Sequence, residues 1–143
     1  MFIAYTSVYG NTKKAVLSLA DKLEMAGNKV VVTDLARCDM AEAVEDAFRY
    51  NKLVLATTTY NGDIFPFMKE FINHLVERNF QNKFVGFIEN GSWAPMATKV
   101  MQDMLTKCPN LTFANNNVKI LSSMSDENIC QLDALTYELS NKQ

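Results

Sequence analysis

The chain has 143 residues, of which 48% are hydrophobic, and its formal net charge is −2. This length and apolar content suffice for one domain with a substantial core, so residues 1–143 are expected to form a single domain. The slightly acidic balance gives no support to nucleic-acid binding, which usually shows as a basic stripe. No apolar run approaches the length of a membrane span. Neither a nucleic acid nor a membrane is therefore expected as a partner.

Cysteine usage indicates a reducing compartment. Cys38, Cys108 and Cys130 are widely spaced, and the chain contains no Cys-x-x-Cys pair. This spacing suggests neither a disulfide framework nor a zinc site. We expect buried or partly buried free thiols, a cytoplasmic location and no bound metal.

Strand and helix patterns alternate along the chain. Apolar runs predict strands at residues 2–5, 29–33, 53–56, 84–88 and, for the fifth, 111–113 with 118–121, interrupted by an asparagine turn at 115–117. Five helices lie between and after these strands. The first ends near Gly27, and the second covers residues 40–48. The third begins at Pro66, the fourth begins at Pro95, and Ser125 caps the fifth. Inward positions are predicted at Val100, Met101, Met104 and Leu105 in the fourth helix and at Ile129, Leu132, Leu135 and Leu139 in the fifth.

This alternation with short connections predicts an α/β fold, with a parallel sheet covered by helices on both faces. In such folds a ligand binds outside the carboxyl ends of the strands, where the strand order reverses. The segments that follow the first, third and fourth predicted strands are therefore the candidate binding loops.

Loop one, residues 5–12, has the composition of a phosphate cradle. The first N–H groups of a helix have no partner within it and carry the positive end of the helix dipole. Hydroxyl and amide donors surround that helix start, and Gly10 lets the backbone curve closely around an oxyanion. No lysine or arginine lies in the loop, which suits the phosphate monoester of a cofactor better than a transferred phosphoryl group. Taken alone, the stretch fits an ordinary hydroxyl-capped turn equally well.

Loop two (residues 57–65) and loop three (residues 89–94) each combine an aromatic residue with polar groups and a glycine. Tyr60 and Trp93 could stack on the two faces of a flat heterocycle, and backbone groups beside Gly62 and Gly91 could bond its edge. Packing of either aromatic ring on a neighbouring helix is the alternative. The coincidence of three such loops at one edge of the sheet favours a binding site.

The chain resembles a flavodoxin-type domain that binds flavin mononucleotide (FMN), and especially the flavodoxin module of flavodiiron (A-type) flavoproteins. The stretches that carry the resemblance are Tyr9-Gly10-Asn11-Thr12, Thr59-Tyr60-Asn61-Gly62 and Glu89-Asn90-Gly91-Ser92-Trp93-Ala94-Pro95. It covers essentially the whole chain. It implies a flavodoxin-like three-layer sandwich, with a five-stranded parallel sheet of order 2-1-3-4-5.

The resemblance also implies the residues that hold FMN. For the phosphate these are Thr6, Ser7, Tyr9, Gly10, Asn11 and Thr12. For the ribityl chain and one side of the ring they are Thr58, Thr59, Tyr60, Asn61 and Gly62, and for the other side Asn90, Gly91, Ser92 and Trp93.

Two features depart from the flavodiiron pattern. The family often has Ser-Pro-Thr where this chain has Thr57-Thr58-Thr59, so loop two is expected to be less rigid. The chain has a single histidine, His74, so the metal domain of those proteins is missing from the sequence. Reduction of oxygen or nitric oxide at iron therefore does not carry over.

The expected function is low-potential one-electron transfer between redox partner proteins, rather than substrate turnover. Negative charge on Asp63 and Glu89 would further disfavour the anionic reduced form of the ring if these residues lie near it. Two alternatives remain open: an FMN-dependent NAD(P)H:quinone or nitro reductase, and a non-flavin interaction domain. A response-regulator receiver, a low-molecular-weight phosphatase and a P-loop nucleotidase are excluded, because the residues that each needs are missing.

Overall fold

The structure, a computed structural model, describes residues 1–7, 10–60, 63–91, 96–121 and 123–142, without the side chain of Tyr60. In chain order the elements are β1 (Phe2–Tyr5), α1 (Asn11–Met25), β2 (Val31–Asp34), α2 (Met40–Arg49), β3 (Lys52–Tyr60), β4 (Asp63–Ile64), α3 (Pro66–Glu77), β5 (Phe84–Gly91), α4 (Ala97–Leu105), β6 (Thr112–Phe113), β7 (Val118–Leu121) and α5 (Asp126–Asn141). Within these ranges no helix is both long and apolar enough to cross a membrane.

The strands pair in parallel in the order β2-β1-β3-β5, and β6 and β7 both pair with β5. Strand β6 pairs with the start of β5 and β7 with its end, so the two together occupy the fifth position of the sheet. The predicted order 2-1-3-4-5 is therefore confirmed, with β5 as the fourth predicted strand and β6 and β7 as the interrupted fifth. Strand β4 adds a two-residue antiparallel hairpin to β3.

Helices cover both faces of the sheet. Ile3 and Val54 belong to the core beneath α1 and α5, whereas their neighbours Phe2 and Leu53 belong to the core beneath α2, α3 and α4. All four of these side chains are fully buried. Because successive strand residues point to opposite faces and both faces are covered, the central strands are apolar over residues 2–5, 53–56 and 84–88. This is the three-layer arrangement that the sequence predicted.

Two central strands run further than predicted. Strand β3 continues past Ala56, and β5 continues past Ile88, so that Thr57 pairs with Glu89 and Thr58 with Asn90. The predicted strand ends were wrong because the apolar signal stops there while backbone pairing does not. Threonine is β-branched and favours extended backbone. Loops two and three therefore begin on the strands themselves.

Smaller corrections concern three other boundaries. Strand β2 is displaced by one or two residues from the predicted range 29–33, and as an edge strand it is only half-buried. Helix α4 begins at Ala97 with Met96 as its N-cap, and the predicted start, Pro95, lies outside the described residues. In α5 the inward position is Asn128 rather than Ile129, which is 46% exposed. The predicted end of α1 is confirmed, since Gly27 follows it with φ 93°.

Candidate functional site

Thr6, the first threonine of loop one, is hydrogen-bonded to the carboxyl-terminal half of β3. The hydroxyls of Thr6 and Thr57 lie 2.6 Å apart, and both residues are buried. The Thr6 N–H also donates to the carbonyl oxygen of Ala56 at 3.0 Å. Consecutive residues of β3 therefore hold both the backbone and the side chain of Thr6.

A second threonine pair brings the three predicted loops together. The hydroxyls of Thr12 and Thr58 are 3.3 Å apart, and Asn90 Nδ2 lies 3.5 Å from the Thr12 oxygen. Thr12 is in the first turn of α1, whereas Thr58 and Asn90 are paired residues of β3 and β5. The structure thus gathers polar groups from all three segments around the start of α1, as the sequence predicted.

The start of α1 has the geometry of a small anion site. Gly10 is its N-cap with φ 86°, and a Cβ at this position would meet no other atom of the described residues within 4 Å. Because glycine has no side chain to act as a cap, Ser7 Oγ accepts from the N–H groups of Gly10 at 3.1 Å and Lys13 at 3.4 Å. The open space beside Gly10, neighbouring hydroxyls and a helix start fit a phosphate monoester.

Loops two and three meet at the start of α4. The Met96 N–H donates to Thr59 Oγ1 at 3.2 Å, and the Thr98 N–H approaches Glu89 Oε1 at 3.5 Å. Both contacts satisfy N–H groups that have no partner within the helix. Local sequence patterns do not reveal these contacts, because capping signals involve residues next to a helix, whereas Thr59 and Glu89 reach α4 from neighbouring strands.

The two acidic residues expected beside the ring lie in different surroundings. Asp63 Oδ2 is 2.6 Å from the ammonium of Lys69, and this hydrogen bond, with one from the Ile64 N–H, holds the pKa of Asp63 below its ordinary value. The Lys69 ammonium therefore offsets part of the charge that Asp63 would add beside a ring. Glu89 is 8% exposed, and no basic group of the described residues lies within ion-pair distance of it.

The predicted site is only partly covered by the described residues. Tyr9, Asn61, Gly62, Ser92 and Trp93 lie outside them, as does the side chain of Tyr60. Their roles stay predictions, including the stacking of Tyr60 and Trp93. Asn11 is the first residue of α1 and Gly91 is the last of β5, so they directly neighbour Thr12 and Asn90 in the chain.

No group of three potential metal ligands occurs among the described residues. Cys38, Cys108 and Cys130 are free thiols, and burial raises the pKa values of the first two. Cys130 is exposed, contrary to expectation. His74, half-buried on α3, lies between Glu70 and Glu77, with nitrogen–oxygen distances of 3.7 and 3.9 Å.

A doubly wound parallel sheet of order 2-1-3-4-5, with a hydroxyl-rich helix start at its carboxyl edge, is typical of flavodoxin-like α/β proteins. The family model described as "Flavodoxin domain" matches residues 2–119. The chain belongs to the flavodoxin family. The FMN expectation is confirmed at the level of the family, since flavodoxin-fold homologues bind FMN.

Solved structures of the same fold include flavodiiron proteins as well as flavodoxins. Rubredoxin oxygen:oxidoreductase from Desulfovibrio gigas has a TM-score of 0.90 and 20% identity, over 97% of this chain and 34% of its own. The flavodiiron protein from Giardia intestinalis has a TM-score of 0.87 and 16% identity, over 97% and 34%. Flavodoxin 1 from Bacillus cereus has a TM-score of 0.86 and 15% identity, over 99% and 98%.

The chain thus spans about a third of the length of these flavodiiron proteins and nearly the whole of the flavodoxin. At these identities the likeness shows the shared fold. No curated protein sequence matches the chain at a significant level.

Proposed function

We propose that residues 1–143 form a single FMN-binding domain that carries electrons, one at a time and at low potential, between redox partner proteins. The proposal rests on one observation: Thr12, in the segment after β1, contacts Thr58 of β3 and Asn90 of β5. Family membership supports the cofactor, since flavodoxin-fold homologues bind FMN. Flavodoxins also interact with redox partner proteins, which supports the role of a carrier.

In this proposal each segment binds a different part of the cofactor. The phosphate is bound at the positive end of the α1 dipole, by Thr6, Ser7, Tyr9, Gly10, Asn11 and Thr12. The ribityl chain and ring fall to Thr58, Thr59, Tyr60, Asn61 and Gly62 on one side and to Asn90, Gly91, Ser92 and Trp93 on the other. FMN, when bound, supplies the one-electron chemistry at its isoalloxazine ring.

The protein's own contribution to the chemistry is electrostatic. The carboxylate of Glu89 is buried at the end of β5, in the segment proposed to line the ring. A buried negative charge without a nearby cation opposes any gain of negative charge beside it, and this opposition is strong because water is excluded. Asp63 opposes it less, because the ammonium of Lys69 offsets its charge.

A cytoplasmic location is part of the proposal. The three cysteines are all free thiols. Free thiols persist where the cell keeps its proteins reduced, whereas oxidising compartments favour disulfides.

Potentiometric titration of the FMN-loaded protein tests the carrier role. We expect two separate one-electron steps, the second clearly more negative than that of free FMN in the same buffer. A second step at the value of free FMN would contradict the low-potential role. Steady oxidation of NAD(P)H by the purified protein with a quinone or nitro acceptor would instead identify a reductase.

A further inference from the structure

We infer that Thr57 positions the phosphate cradle through Thr6 and thereby sets the preference of the site for a phosphorylated flavin; this inference rests on the proposed FMN binding. Thr57 is fully buried, with 0% of its surface exposed, and its hydroxyl faces Thr6. Its hydroxyl lies 2.6 Å from that of Thr6, which is 1% exposed. Thr57 is therefore a positioning residue and does not bind the ligand itself.

The contact lies where the backbone ladder gives way to the loop. The N–H of Leu35, just after β2, donates to the carbonyl oxygen of Tyr5 in β1. The N–H of Thr6, just after β1, donates to the carbonyl oxygen of Ala56 in β3. Beyond these bonds, the Thr6 hydroxyl anchors the start of loop one to β3. Ser7 follows at once, and its oxygen accepts from the Gly10 and Lys13 N–H groups at the helix start. A shift at Thr6 is therefore expected to move Ser7 and, through it, the helix start that is proposed to hold the phosphate.

The burial of the pair makes its geometry well defined. A hydroxyl without a partner in a buried site is strongly disfavoured, so removing the Thr57 hydroxyl forces Thr6 to seek another partner. The Thr12–Thr58 pair, in the first turn of α1, links the helix start to β3 independently of Thr6. Loss of the Thr6–Thr57 bond is thus expected to loosen one side of the cradle without unfolding the edge of the sheet.

The test compares FMN with riboflavin, which has the same ring and ribityl chain but no phosphate. Affinities of the wild-type protein and of Thr57→Val, which keeps the shape but removes the hydroxyl, are measured by quenching of flavin fluorescence. We expect Thr57→Val to weaken FMN binding about tenfold and riboflavin binding less than about twofold. Thr57→Ser, which restores the hydroxyl, should recover most of the FMN affinity.

Thr59→Val is the matched control on the same strand. Thr59 Oγ1 accepts from the Met96 N–H at the start of α4, far from the phosphate loop in the chain. This variant should weaken FMN and riboflavin alike. Equal weakening of both ligands by Thr57→Val, or no change in either, would overturn the inference. If Thr57→Val does not fold, Thr57→Ala removes the same hydroxyl without adding volume, and the same two ligands decide.

The two proposals fail in different ways. A wild-type protein that binds neither flavin would remove the proposed function and, with it, the basis of this inference. A wild-type protein that binds FMN, together with a Thr57→Val variant that shows no selective loss, would remove the inference alone.

Discussion

The carboxylate of Asp63 and the ammonium of Lys69 lie 2.6 Å apart at the start of α3. This ion pair distinguishes Asp63 from Glu89, the other acidic residue expected near the flavin. Asp63 is compensated and partly exposed. Glu89 is buried, and the hydrogen-bond partner of its carboxylate within the described residues is the Thr98 N–H at 3.5 Å. The two carboxylates should therefore influence a bound flavin to different extents.

Replacement of Glu89 by glutamine should raise the potential of the second one-electron step of the FMN-loaded protein by roughly tens of millivolts. For one electron, a shift of about 59 mV is a tenfold change in the equilibrium constant. The buried negative charge is lost while the shape of the side chain is kept. Asp63→Asn is the matched control, and it should shift the potential less. Redox titration of both variants decides; an equal or larger shift for Asp63→Asn would contradict this account of the charges.

Glu138 should make stability depend on pH. Its carboxylate accepts from the N–H groups of Asn115 and Asn116 and from the Asn116 side chain, at 2.9 to 3.0 Å, between β6 and β7. Burial alone would raise the pKa of Glu138, but these hydrogen bonds outweigh burial and lower it below the ordinary value of 4.5. Because the folded-state pKa is the lower one, this stabilisation is present above pH 4.5 and is lost as the pH falls through the folded-state value.

Urea unfolding of wild type and Glu138→Gln at neutral and acidic pH measures this effect. At neutral pH the variant should be less stable by about 1 kcal/mol, a modest figure because the group is partly solvated. The difference should shrink in acid, where the wild-type carboxylate is protonated. A constant difference at every pH would show that the charge of Glu138 has no part in it.

Asn128 should contribute more to stability than its apolar neighbour on α5. Its side chain donates to the Lys119 carbonyl oxygen at 2.7 Å and accepts from the Ser125 N–H at 2.9 Å. Asn128→Leu would remove both hydrogen bonds and with them the capping box at the start of α5, at a cost of about 1–2 kcal/mol. Ile129→Ala, at a position 46% exposed, should change stability by about 0.5 kcal/mol or less. Thermal unfolding of the two variants checks this, and a larger loss for Ile129→Ala would contradict the burial of α5.

This reversal of roles shows where the sequence was insufficient. The buried positions of α5 are Asn128, Leu132, Leu135 and Leu139, which follow helical spacing. Hydrophobicity alone favoured Ile129, because nothing local shows that the Lys119 carbonyl needs a partner. The apolar strands, the αL glycine after α1 and the order of the sheet were predictable, since each rests on a strong local or topological rule.

The candidate site was predictable in its location but not in its internal contacts. The hydroxyl- and glycine-rich composition of loop one indicated the helix start, and the alternation of elements placed all three loops at one edge. The continuation of β3 through Thr57 and Thr58 was missed, because polar residues interrupt the apolar pattern there. The pairing of these threonines with Thr6 and Thr12 joins residues far apart in the chain, which local patterns do not reveal.

Gly10 should be needed for its backbone conformation. Its φ of 86° is left-handed, and a Cβ there would meet no other described atom within 4 Å. Gly10→Ala should therefore destabilise the protein by about 1–2 kcal/mol through backbone strain alone. Gly10→Asn should cost less, because asparagine tolerates this conformation better. Chemical denaturation measures both, and equal losses for alanine and asparagine would show that strain at φ is not the cause.

Titration of the purified, flavin-free protein with FMN tests whether the segments after β1, β3 and β5 jointly form a flavin site. Fluorescence quenching and the accompanying visible spectrum report binding. We expect saturable binding of one FMN per chain, with a perturbed ring absorption. Flavin fluorescence that stays unquenched at a large excess of protein, with the spectrum of free FMN, would contradict it.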